Sequence, residues 1–329
     1  MIIEISLLVM LVKLVDRLPP PPPTKRGRGR PKTYTDRLFL KALVVMIVKH
    51  LHTVNELRSV LEQPTPEMQR LRQEFMVEGQ FPTRRTWERR LKTLPPHLSA
   101  QIAALGGYLI EILKPWAEGG PAAAIDSTVL SARGGVWHKK DREAGVVPHS
   151  SIDTEAHWTK SGWHGWVYGW KLHLVVTVGT VWIPIAAELT SANQADNEWA
   201  KRIFEQLNGA VRYLLGDTHY NDPELRQLCA ASGRVLIATQ TATSRKKAKD
   251  DQGREVRKMF HQLRSHSIEN FNEQFKSIFD GHGAVPTKGL AQTGLWALGA
   301  VLVYQLGLLY RHQAGLEPRR GLKAFLKAA

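Results

Sequence analysis

Two rhythms divide this chain. From residue 34 to 115 apolar residues return every three or four positions, the spacing of one helical face. Leu38, Leu40, Ala42, Leu43, Met46 and Ile47 form one such stripe, and Thr53 stands where an N-cap belongs ahead of Glu56, Leu57, Val60 and Leu61. A further helix is predicted over Thr83-Arg-Arg-Thr-Trp-Glu-Arg-Arg-Leu-Lys92, with five basic residues. From about residue 120 the period shortens. Ala122 to Leu130 reads as a strand, and Val167 to Val178 and Val181 to Leu189 read as a hairpin split at Gly179-Thr180. Asp196 to Leu207 has helical spacing, Val211 to Leu215 is a short buried strand, Pro223 to Ala231 a helix and Val235 to Thr239 another strand. After a basic loop (Arg245-Lys246-Lys247, Lys249), a helix carries apolar residues at Ile268, Phe271, Phe275 and Ile278.

Three early strands, then alternating helices and strands, then a closing helix is the element order of an RNase H-like fold. The predicted class is therefore α/β: an RNase H-like mixed sheet as catalytic core with an α-helical N-terminal domain. The 329 residues suffice for one large domain and a smaller one. Predicted boundaries are 1–33 for an N-terminal helix, polyproline and basic arm, 34–118 for a helical DNA-binding domain, 119–315 for the catalytic domain and 316–329 for a basic tail. Two apolar stretches bear on compartment. Ile2 to Val15 is broken by Glu4 and Lys13 and lacks a small-residue cleavage site. Gly294 to Tyr310 carries Gln305 and falls short of the roughly 20 residues a bilayer span needs. Both read as helices of a soluble protein, with no membrane role expected. The single cysteine, Cys229, excludes an internal disulfide and a cysteine-based zinc site and fits a reducing cytoplasm.

Charge changes the picture most. Lys and Arg total 45 against 30 Asp and Glu, a net +15, and such an excess favours a polyanionic partner, double-stranded DNA above all. Five prolines at 19–23 form a stiff spacer. Behind them lies Lys25-Arg-Gly-Arg28-Gly29-Arg30-Pro31-Lys32. Its Arg-Gly-Arg-Pro resembles the core of an AT-hook, which lays arginines into an A·T minor groove; the segment reads equally as a basic, solvated linker. In either reading Arg28, Arg30 and Lys32 meet phosphate. Arg84, Arg85, Arg89 and Arg90 are expected DNA contacts if the helical unit binds DNA, and the charged outer face of an ordinary bundle if it does not.

Candidate chemistry comes from three acids. Asp126 closes Ala122-Ala-Ala-Ile125, Asp217 closes the run from Val211 to Gly216, and Glu269 lies on the late helix. In the predicted fold the first strand is central and the fourth lies beside it, so Asp126 and Asp217 meet at neighbouring strand ends. Glu269, Glu273 and Lys276 return to one helical face at offsets of four and seven, which leaves Glu273 as an alternative to Glu269. Carboxylates gathered at buried strand ends repel one another unless a cation compensates them, and divalent metal is the natural remedy. Two Mg²⁺ (or Mn²⁺) ions held by Asp126, Asp217 and Glu269 would suit phosphoryl transfer, with Lys276 holding the adjacent phosphate.

Taken together, these segments resemble the bacterial insertion-sequence DDE transposases. Ala124-Ile-Asp126-Ser-Thr128 is similar to the first-Asp motif, and Tyr168-Gly-Trp-Lys171-Leu-His173-Leu174 to the Gly-x-Lys-x-His strand that follows it. Leu189-Thr-x-Ala-Asn193-x-x-Asp196 is similar to the segment after the third strand. Leu215-Gly-Asp217-Thr-His-Tyr220 is similar to the second-Asp motif, and Glu269-x6-Lys276 to the third. Gly29-Arg-Pro31-x-x-Tyr34-x-Asp36 is similar to the start of these proteins. The resemblance implies transposition: hydrolysis at terminal repeats, then attack of a freed 3′-hydroxyl on target DNA, with Mg²⁺, in a homodimer or larger assembly. Hairpin-forming members carry Tyr-x2-Arg-x3-Glu-x6-Lys. Here those Tyr and Arg positions hold Gln262 and Ser265, with Arg264 one place off, so no hairpin intermediate is expected. The spacing of Asp217 and Glu269 leaves no room for a large β-rich insertion. A DDE-type nuclease without strand transfer and a non-catalytic DNA-binding regulator are the competing readings.

Lesser features follow. Trp166 and Trp170, on one strand face, are expected in the core, while Trp158 and Trp163 are open to DNA contact. Lys171 and His173 share a strand face, with Lys171 and Arg264 expected near phosphate. The histidines show no metal-ligand spacing and read as structural.

Overall fold

The computed structural model describes residues 6–20, 33–116, 120–162, 165–238 and 251–329, and in it the first rhythm becomes a helical layer. Helix α1 (Leu7–Leu14) starts at Ser6, whose hydroxyl accepts from the Val9 amide, and buries Leu8, Val9, Leu11 and Val12. Its neighbour α2 (Asp36–Val48) is apolar nearly all round and correspondingly buried. The predicted N-cap opens α3 (Val54–Leu61) and proves to be a full capping box: the Thr53 hydroxyl accepts from the Glu56 amide, and the Glu56 carboxylate accepts from the Thr53 amide at 3.0 Å. The Thr65 and Thr83 hydroxyls cap α4 (Pro66–Glu74) and α5 (Arg84–Lys92) by accepting from the Met68 and Thr86 amides. Helix α5 turns Trp87 inward, edge-on to Phe39 and Phe75 at centroid distances of 5.2 and 5.5 Å. Helix α6 (Pro95–Leu113) leads to the sheet.

The second rhythm becomes six strands: β1 (Ala122–Ser131), β2 (His157–Ser161), β3 (Gly165–Thr177), β4 (Pro184–Ser191), β5 (Tyr213–Gly216) and β6 (Val235–Ala238). A short α7 (Lys139–Glu143) precedes β2, α8 (Asp196–Ile203) follows β4, and α9 (Pro223–Ala231) links β5 to β6. Strand β3 pairs antiparallel with β1 and with β4, while β1–β5 and β5–β6 are parallel. The spatial order β4-β3-β1-β5-β6 is that of an RNase H-like sheet. Beyond it, α10 (Asp251–Arg264) runs through one turn of π-helix, Ser265–Glu269, into α11 (Asn270–Ile278).

The chain closes with α12 (Leu290–Gln313) and α13 (Leu322–Ala328). Helix α12 is long and apolar enough to cross a bilayer, yet here it is buried among α6, α2, α1 and β4. Gln305, fully buried on α12, donates from Nε2 to Ile102 O of α6 at 2.9 Å and to Pro184 O of β4 at 2.7 Å. Those bonds supply partners for an amide nitrogen that would otherwise be costly in the core. One hydrophobic core thus runs through the helical layer and the sheet.

Several expectations shift. The predicted strand from Val211 begins at Tyr213, and α8 ends at Ile203 in a 3₁₀ turn rather than continuing to Leu207. Strand β2 was not foreseen. It forms a hairpin with the start of β3 that projects past the sheet, and this corrects the reading of Trp166. Trp170 is fully buried, but Trp166, two steps further out on the same face beyond buried Tyr168 and opposite Lys160, is 68 % exposed. There β3 has run past β1 and β4 and pairs only with β2 among the described residues. Trp158 is half-buried, its indole donating to Trp137 O at 2.9 Å. The basic arm with Arg28, Arg30 and Lys32, the loop at Arg245–Lys249 and Trp163 lie outside the described residues.

Candidate active site

The positions of Asp126 and Asp217 follow from strand register. Ala122, Ala123 and Ala124 of β1 pair in parallel with Tyr213, Leu214 and Leu215 of β5. Two residues past each paired run the chain turns polar, so Asp126 and Asp217 emerge at the carboxyl end of the parallel pair, where open α/β sheets present their ligand sites. Asp126 Oδ1 accepts from the Ser127 amide at 2.8 Å. Asp217 caps the 3₁₀ turn Thr218–Tyr220, taking the His219 amide on Oδ1 at 2.8 Å and His219 Nδ1 on Oδ2 at 3.0 Å. That contact raises the His219 pKa above its ordinary value.

Glu269 arrives from the other side, at the end of the π-turn. The turn resolves an apparent misfit in spacing. On an α-helix, residues five apart lie about 140° from each other; in a π-turn the fifth residue returns to the same side. Arg264 and Glu269 accordingly meet, Nη2 to Oε1 at 3.2 Å, while Nη1 of the same guanidinium reaches Asp126 Oδ2 at 3.4 Å. Arg264 is 7 % exposed, and its buried Nε has no hydrogen-bond partner among the described residues.

These groups open onto one cleft of about 800 Å³, lined among others by Asp126, Asp217, Glu269, Glu273, Arg264 and Lys276. Asp126, Asp217, Glu269 and Lys276 are thus brought together as the fold predicted, and Glu273 shares the cleft, as its helical offset requires. Burial drives the Asp126 carboxyl up to about 6; Arg264 opposes that shift, and neighbouring Asp217 and Asp196 add to it. Lys276 is pushed below the ordinary lysine value by desolvation.

The sequence by itself assigns Asp196 no role. At the start of α8 it receives Lys171 Nζ on Oδ2 at 3.0 Å and lies 3.6 Å from His173 Nδ1. Lys171 also donates to Gln194 O at 3.0 Å, so its ammonium is fixed at the cleft wall. His173 is structural in character: fully buried, 2.8 Å from Thr190 Oγ1, stacked on Trp199 at 4.6 Å and held down to about 3 chiefly by burial. Tyr220 completes the wall, buried, with no partner for its hydroxyl among the described residues. The signal for Asp196 was an acid at a helix start following a strand that carries a lysine.

The basic residues of α5 divide. Arg85 and Arg89 are exposed on the outer face, and Arg84 is exposed but paired with Glu88 at 2.7 Å. Arg90 turns inward, its guanidinium 4.5 Å from the Phe39 ring centre and bonded to Tyr34 O and Asp36.

Among the described residues no three acidic, histidine or cysteine side chains already surround one point as metal ligands. Arg264 bonds Asp126 and Glu269, and His219 holds Asp217. The donor set itself fits a hard divalent cation: all three predicted ligands are carboxylates, and the most buried has its pKa raised by like charge and burial.

Residues 123–281, from β1 to just past α11, match the family model of the transposase DDE domain. The chain carries a transposase DDE domain. All four predicted catalytic residues fall inside it, as do Lys171, Asp196 and Arg264. Among solved structures, the chain is similar to a piggyBac transposase synaptic complex with hairpin DNA, at 12 % identity over 97 % of this chain and 75 % of that one, with a TM-score of 0.43. A pre-cleavage Mos1 transpososome matches at 14 % identity over 86 % of this chain and 80 % of that one, with a TM-score of 0.22. A Mos1 mariner paired-end complex with Mn matches at 15 % identity over 86 % and 80 %, with a TM-score of 0.23. No curated protein matches the sequence.

Proposed function

We propose that this protein is a cytoplasmic DNA transposase. It binds the terminal repeats of an insertion sequence, cleaves DNA at the element ends and joins the freed 3′-hydroxyl to target DNA. The observation that carries this reading is the convergence of Asp126, Asp217 and Glu269, from β1, β5 and the π-turn, on one cleft inside the matched domain. Asp126, Asp217 and Glu269 would hold two Mg²⁺ or Mn²⁺ ions, which supply an activated water or 3′-hydroxyl and offset charge on the leaving oxygen. The protein's own cations do the rest. Lys171, held by Asp196 and Gln194, and Lys276, which lines the same cleft, would hold the non-bridging oxygens of the phosphate under attack. Arg84, Arg85 and Arg89 on α5 meet the duplex backbone. Two element ends must be synapsed, so the working form is a homodimer or larger.

A labelled duplex ending in the terminal repeat, incubated with Mg²⁺ or EDTA, tests this directly. Mg²⁺-dependent nicks at the repeat boundary and joined products are expected. Nicks without joining of a pre-cut oligonucleotide would make it a nuclease, and specific binding without cleavage would make it a regulator. Binding should weaken steeply with salt, since phosphate contacts release counterions. The double variant Arg85→Ala/Arg89→Ala should flatten the slope of log K against log [salt] by about 2; an unchanged slope removes α5 from the interface.

A further inference from the structure

Arg264 sits in an arrangement poorly suited to a permanent structural pair. A bidentate arginine–carboxylate bond closes at about 2.7–2.9 Å. Here the guanidinium splits between two carboxylates, at 3.4 Å to Asp126 and 3.2 Å to Glu269, and leaves its buried Nε without a partner among the described residues. Asp126 is largely enclosed, with 22 % of its side-chain surface exposed, while the Glu269 side chain is 56 % exposed and has room to reorient. The cation also comes from a special place: the π-turn is what lets residue 264 face residue 269 at all.

We propose that Arg264 is a built-in counter-cation of the metal-free site, and that a divalent ion binds Asp126 and Glu269 by displacing its guanidinium. This rests on the ligand assignment proposed above. The device keeps a strand-end carboxylate compensated before metal arrives, and it sets a threshold of metal concentration for loading. Once displaced, the guanidinium remains among the groups that line the same cleft, available to a substrate phosphate.

The test is Mn²⁺ binding to the DNA-free protein, followed by loss of the free-ion EPR signal and by calorimetry. Arg264→Gln removes the competitor and is expected to tighten binding about tenfold or more. Arg264→Lys keeps a charge that cannot bridge both carboxylates and is expected to tighten it by a smaller factor. Unchanged or weaker binding in these variants overturns the proposal; if Arg264→Gln fails to fold without metal, Arg264→Lys alone decides. Asp126→Asn separates the two layers of inference. Parent binding that disappears in Asp126→Asn supports the ligand assignment whatever Arg264 does. Binding that survives Asp126→Asn undamaged sinks the ligand assignment, and the counter-cation with it.

Discussion

Asp126→Asn is expected to abolish Mg²⁺-dependent cleavage of a terminal-repeat duplex, by on the order of 10³-fold or more, and at the same time to stabilise the DNA-free protein at pH 8. The two effects share one cause. Asp126 is an acid held where its charge is unwelcome: burial and the neighbouring Asp217 and Asp196 raise its pKa from 3.8 to about 6, even with Arg264 beside it. A raised folded-state pKa means that its stabilising contribution is complete below about 3.8 and lost as pH climbs through about 6. The shift of about two units corresponds to at most roughly 3 kcal/mol. Asparagine keeps the shape without the charge, but Arg264 loses a partner, so a gain of about 1–2 kcal/mol is the reasonable expectation. Urea unfolding in EDTA at pH 4.5 and pH 8 checks it, the variant's advantage growing with pH. Equal advantage at both pH values would refute the electrostatic account. Full cleavage by the variant would remove Asp126 from the active site.

This antagonism between stability and chemistry is also why the site was partly legible beforehand. A carboxylate placed directly after a buried apolar run is anomalous enough to be noticed in a sequence, and two such anomalies on strands that pair in parallel locate a cleft. Glu269, Glu273 and Lys276 were legible for a different reason, since offsets of four and seven hold on the α-helix that follows the π-turn. Helical arithmetic then failed one step upstream. It assumes 3.6 residues per turn, and the π-turn breaks that assumption at Ser265–Glu269, so Arg264 looks out of place in the sequence although its guanidinium reaches both Asp126 and Glu269.

Other misses have a common origin in contacts that no local pattern encodes. Asp196 acquires meaning only through Lys171, 25 positions away on another element. Arg90 reads like its neighbours on α5 until α2 brings Phe39 beneath it. Trp166 shares the alternation of Trp170, and alternation cannot report where a sheet ends. Helix α12, grouped by sequence position with the catalytic core, packs on the N-terminal helices as well as on β4, so the helical layer and the sheet share their interior.

Gly169→Ala is expected to cost about 3 kcal/mol or more of stability and to take the activity with it, although the residue touches no predicted ligand. Gly169 lies where strands crowd: it pairs with Ser131 of β1 and His157 of β2, and its carbonyl accepts from the Ala192 amide at 3.2 Å. A Cβ there would stand 2.0 Å from Leu130 O and 2.9 Å from Ala132 N. Both obstacles are backbone, so no rotamer change can relieve them; β3 must lift off β1. The glycine's backbone angle is not the reason, since its φ is not positive. Lifting β3 displaces Lys171, two residues on, from Asp196, and loosens the strand that carries Asp126. Gly283→Ala is the matched control, with nothing within 4 Å of its added methyl, and should stay within about 0.5 kcal/mol of the parent. Urea midpoints and far-ultraviolet circular dichroism of the two variants decide the matter. If Gly169→Ala unfolds within 1 kcal/mol of the parent, about the size of an ordinary substitution, then the β1–β3 junction is plastic, and the glycine of the Gly-x-Lys-x-His strand must be explained by something other than strand contact.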